Sequence, residues 1–140
     1  MAAANETRGE VSLTLEGESY VLRPTWQAIK AFETETGKGV MQLAQEARAM
    51  MLTSTEAATI ATECIRAWGR ANETGLGKIA REVNQDRIGE LIMDSDGGFA
   101  AATGRLGLLL MIASTGGYTS QGELKPATER KKRAATPAAG

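Results

Sequence analysis

Residues 11–25 read Val11-Ser12-Leu13-Thr14-Leu15-Glu16-Gly17-Glu18-Ser19-Tyr20-Val21-Leu22-Arg23-Pro24-Thr25. Val11, Leu13 and Leu15 alternate with Ser12, Thr14 and Glu16, the period of a half-buried strand. Glu16-Gly17-Glu18-Ser19 supplies a glycine-containing turn, and Tyr20-Val21-Leu22-Arg23 runs back as a second strand. The pair predicts a β-hairpin over about residues 9–23. Two strands alone are marginal in water, so the hairpin has to lie on helices or on another chain. Pro24 stops the strand, and Thr25 suits the N-cap of a helix beginning at the next residue.

Downstream the apolar period changes from two to three or four. Trp26, Ile29 and Phe32 share one face of a helix over about residues 26–36, and Gly37 suits the left-handed position at its end. A second helix over about 40–51 sets Val40, Leu43, Ala44, Ala47 and Met51 on one side. Thr53-Ser54-Thr55-Glu56 is a capping box. It opens a helix over about 54–69 with Ala57, Ile60, Ala61, Cys64, Ile65 and Trp68 in one stripe. Gly69, Gly75 and Gly77 are expected to break it. Ile79 and Val83 fit one short helical turn, and Asn84 caps a segment in which Ile88, Leu91 and Ile92 share a face up to about Asp94. Asp96-Gly97-Gly98 signals a turn, and a last helix runs from about Phe99 to Ala113. Its second half is apolar nearly all round, which predicts a central helix or one covered by a partner. Gly104 and Gly107 inside it lower helix propensity and would let another helix come close.

These elements predict an α+β fold: an N-terminal β-hairpin packed on a bundle of four or five short helices, forming a single domain over residues 1–117. From Gly116 the character changes. Residues 118–140 hold two of the three prolines and few apolar residues, and are expected to be a disordered basic tail. Residues 124–140 carry five basic and one acidic residue, while residues 1–123 carry 11 basic and 16 acidic ones. The body is acidic and its end is basic.

Of the 140 residues, 42% are apolar and 24% charged, the average of a globular domain, and 4% are aromatic. A net charge of -1 argues against nucleic acid as the partner of the whole surface. There is no histidine, and Cys64 is the single cysteine. An internal disulfide, a Cys/His zinc site and a Ser-His or Cys-His catalytic pair are thereby excluded. The N-terminus lacks the apolar core of a secretory signal. The longest apolar run, Leu106–Ala113, falls far short of the ~20 residues of a membrane span. A cytoplasmic, non-enzymatic protein without cofactor, metal, small-molecule substrate or membrane contact is expected.

The candidate chemical motifs are weak. Glu33 and Glu35 are two apart and point to different helix faces. Asp94-Ser95-Asp96-Gly97-Gly98 has the start of a calcium loop without its closing glutamate, so it reads as a turn. Gly75-Leu76-Gly77-Lys78 lacks the spacing of a phosphate loop and reads as a flexible loop. Cys64, on an apolar stripe, reads as a core residue. Trp26, Phe32 and Trp68 are core aromatics or, if one is exposed, an anchor in a partner surface. Glu129-Arg130-Lys131-Lys132-Arg133 is a solvated tail or a contact for nucleic acid or an acidic partner.

Arg8-Gly9-Glu10-Val11, Leu13, Leu15, Gly17, Tyr20, Leu22-Arg23-Pro24-Thr25, Ala28-Ile29, Phe32-Glu33 and Thr36-Gly37 form a joint pattern. It resembles the tail assembly chaperones of siphophages and gene transfer agents, closely over residues 8–37 and loosely to about residue 116. The resemblance implies a hairpin followed by a helical body and a non-catalytic role. Such a protein would bind tape measure and tail tube proteins during phage or prophage tail assembly and leave the finished particle. The alternative is a structural minor tail or head–tail connection protein that stays in the virion. Candidate partner-binding residues are Trp26, Phe32, Gly104, Leu106, Gly107 and Leu110, with self-association as a second kind of contact.

Overall fold

The computed structural model describes residues 10–126. Strands β1 (Val11–Leu15) and β2 (Glu18–Leu22) form an antiparallel hairpin in which Leu13 faces Tyr20 and Leu15 faces Glu18. Glu16 and Gly17 have φ of 52° and 79°. Positive values at both central residues define the type I′ turn whose twist matches the strands it joins. Val11, Leu13 and Leu15 are buried as their alternation requires. Val21 lies on the opposite face and is also fully buried, so the end of β2 is enclosed on both sides.

Six helices follow: α1 (Trp26–Thr36), α2 (Val40–Arg48), α3 (Ser54–Ala71), α4 (Gly75–Arg81), α5 (Gln85–Asp94) and α6 (Gly98–Ser114). The architecture is α+β, with an N-terminal hairpin on a helical body. Local signals start the helices. Thr25, Thr53, Thr74 and Asn84 each accept a backbone N–H in the first turn of α1, α3, α4 and α5. Thr53 and Glu56 close the capping box reciprocally, at 3.0 Å each way. The central element is α3, against which β2, α1, α4, α5 and α6 all pack, while α2 lies on α6.

Four expectations need correction. Among the described residues the helix count is six because α4 is a helix, where Gly75-Leu76-Gly77-Lys78 suggested a flexible loop. Gly69 does not break α3, which runs on to Ala71. A Cβ on Gly69 would stand 2.5 Å from the Arg81 backbone nitrogen, and one on Gly77 would collide with the Asn72 carbonyl. These glycines let α3 and α4 touch. Arg81 then donates to the Gly69 and Asn72 carbonyls, closing the end of α3. Helix α2 stops at Arg48 instead of residue 51. Met50 takes a left-handed φ of 58°, and the Met50 and Met51 amides donate back to Ala47 and Glu46, a Schellman end.

The fourth correction concerns the start of the tail. Residues 118–125 belong to the folded body, where the composition suggests a basic tail from residue 118. Tyr118 is buried and bridges to Leu124. The Trp26 amide donates to the Ser120 carbonyl at 2.9 Å, and Arg23 donates to the Gln121 carbonyl at 2.7 Å. Arg23 also pairs with Glu123 at 3.4 Å. The Glu129–Arg133 cluster and the rest of the expected tail beyond Pro126 lie outside the described residues.

Candidate functional site

The six candidate partner-binding residues do not form one surface. Phe32, Leu106 and Leu110 are fully buried in the core. Gly107 is buried against α2, where its Cβ would stand 3.4 Å from that of Ala47. It serves packing within the chain. Gly104 faces open space, with no atom of the described residues within 4 Å of a Cβ built there. Trp26, the first residue of α1, is 58% exposed, and a large ring left open in this way suits an anchor for a partner. It stands between two cavities of about 270 and 230 Å³, each bordered by the 118–121 segment. Trp68, by contrast, is a core residue.

Periodicity does not reveal the methionines. All five among the described residues (Met41, Met50, Met51, Met93 and Met111) are exposed, by 42% to 71%. Met51 belongs to the inner face of α2 by its spacing, but the early end of that helix turns it out to 70% exposure. Leu108 and Ile79 are also exposed, by 43% and 57%. Flexible thioether side chains adapt to irregular partner surfaces, and no one pattern in the sequence marks all five.

The polar groups hold structure together. Lys38, between α1 and α2, donates to Glu56 at 2.7 Å and to Glu46 at 3.0 Å. Burial alone would raise the Glu56 carboxyl, but hydrogen bonds from Lys38 and Thr53 outweigh it and hold the group below its ordinary value. Lys38 is held above its own by Glu56 first and Glu46 second. Burial pushes the Cys64 thiol far up, with the Glu63 charge adding to it, so the thiol packs in the core and is unreactive. Tyr118 is pushed up to about 12, chiefly by burial. Asp96-Gly97-Gly98 is the corner that starts α6, with Gly97 in the left-handed region. Among the described residues no three His, Cys, Asp or Glu side chains converge as a metal site. No single described helix is long and apolar enough to cross a membrane.

Residues 8–91 match the family described as phage tail tube protein, GTA-gp10, well over half of the 140-residue chain. The chain belongs to that family. It is a tail protein of the phage and gene transfer agent kind. The match spans the hairpin, α1 to α4 and most of α5, so it covers Trp26 and Ile79 and stops short of α6. No curated protein and no solved structure matches the chain.

Proposed function

We propose that the protein is a non-catalytic tail assembly chaperone of a phage, prophage or gene transfer agent. It binds the tape measure and tail tube proteins reversibly in the host cytoplasm and leaves before the tail is complete. The observation that carries this reading is the surface. Five exposed methionines and an exposed Trp26 suit transient apolar contacts with irregular clients. A buried inert thiol and the lack of histidine agree with a binding role. The family match supports a place in tail biology. Co-expression with the neighbouring tape measure and tail tube proteins tests it: soluble, separable complexes are expected, together with absence from purified particles. Stoichiometric presence in the particle would refute the chaperone role in favour of a structural component.

A further inference from the structure

A groove of about 440 Å³ runs between the hairpin turn and the α4–α5 corner. Tyr20, Ile79, Val83 and Leu91 contribute its apolar lining; Glu16, Glu18 and Glu82 stand along it and outnumber Arg87, which also lines it and pairs with Glu90 at 3.7 Å. Glu16 and Glu82 occupy positions that local rules disfavour. Glu16 holds the first central position of the type I′ turn at a φ of 52°, where Asn, Asp or Gly is the norm. Glu82 is the C-cap of α4, where a negative charge opposes the helix dipole. The Glu16 amide is further pinned by the Ser95 hydroxyl at 3.0 Å. Two acids kept against local preference beside one apolar groove mark it as a recognition surface.

We infer that this groove binds a short amphipathic segment of another chain, with apolar residues for the floor and lysine or arginine at its flanks. Charge complementarity selects the flanks, and the apolar lining with a 57% exposed Ile79 selects the centre. The chain's own basic end does not fit, because residues 127–140 contain no Leu, Ile, Val, Met or aromatic residue. The inference rests on the proposed binding role and names the client chemistry for it.

The test uses the full chain and a fluorescein-labelled helical peptide made only of leucine and lysine, read by anisotropy at low salt. Wild type is expected to bind, and its Glu16→Asn/Glu82→Gln variant to bind about threefold to tenfold more weakly. Ile79→Ser should weaken binding by a similar factor. Glu35→Gln/Glu73→Gln, of equal charge change outside the groove, should leave it unchanged. Glu16→Asn alone should raise the urea midpoint, which separates lost recognition from lost folding. Equal binding by all variants, or no binding by wild type, overturns the groove. If the tape measure protein is captured equally by wild type and the double variant, the groove is refuted and the chaperone role stands. If wild type binds the peptide and captures no tail protein, the chaperone role falls and the groove stands. Concentration-dependent dimerisation abolished by the double variant would overturn the inference in favour of a second copy as occupant.

Discussion

Placing the same leucine at Gly104 and at Gly107 separates two uses of glycine in one helix. Both residues lie inside α6, three apart, and each costs about 1 kcal/mol of helix propensity relative to a good helix former. At Gly104 a Cβ meets nothing within 4 Å among the described residues. Gly104→Leu should therefore recover most of that amount and raise the thermal midpoint by about 3–5 °C. At Gly107 the Cβ would stand 3.4 Å from the Ala47 Cβ, and the three further carbons of leucine have to enter α2. Overpacking of this kind costs about 1–3 kcal/mol, so the variant should end below wild type in spite of the same propensity gain. Urea unfolding followed by far-ultraviolet circular dichroism reads both, and unchanged slopes would confirm that only stability moved. A Gly107→Leu protein as stable as Gly104→Leu would refute the α2–α6 contact. If a client approaches α6 at its exposed glycine, Gly104→Leu should lose tape measure capture while gaining stability. A captured complex unaffected by it would place the client elsewhere.

The packing sets four further outcomes. Leu13→Asp buries an unpaired charge and should cost at least about 3 kcal/mol, while Thr14→Asp, exposed on the other face, should cost under about 0.5 kcal/mol in urea midpoints. Truncation after Gly117 removes buried Tyr118 and the Ser120 and Gln121 contacts, so calorimetry should show a loss of about 2–3 kcal/mol; truncation after Pro126 is the comparison that keeps them. Thr62 Oγ1 is buried without a hydrogen-bond partner among the described residues, and Thr62→Val should stabilise by about 1–3 kcal/mol. The folded Glu56 carboxyl lies below its ordinary value of 4.5; its stabilisation is present above that value and is lost as pH falls through the folded one. Urea midpoints between neutral and acid pH should therefore fall less steeply in Lys38→Met than in wild type, and identical slopes would remove the Lys38–Glu56 pair from the account.

The elements legible in the sequence are those fixed by neighbours in the chain. The alternation of Val11, Leu13 and Leu15 sets the buried face, and Thr25, Thr53 with Glu56, and Asn84 mark three helix starts within a turn of where they occur. Expectation and structure part where a residue answers to something distant. Gly69 and Gly77 carry the same propensity as any glycine, and only the juxtaposition of α3 and α4 shows that they are contact surfaces. Tyr118 and Leu124 are isolated apolar residues in a polar stretch, and the partner that orders their segment, Arg23, lies about a hundred positions earlier.

The candidate partner surface is displaced from its expected place for a related reason. A helix apolar nearly all round has two solutions, burial by its own chain or burial by another, and both produce the same sequence. Here α2, α3, α5 and β1 take up Leu106, Gly107, Leu109 and Leu110, leaving Leu108, Met111 and Gly104 outward. The decision rests with Ala44 and Ala47 of α2, small enough to let that helix lie on α6 and uninformative until both helices are in place. The surface open to a partner is therefore set by the residues that the fold could not use. The exposed methionines, Trp26, Ile79 and the two unfavourably placed glutamates present such side chains, each left largely open to solvent while its backbone serves the fold.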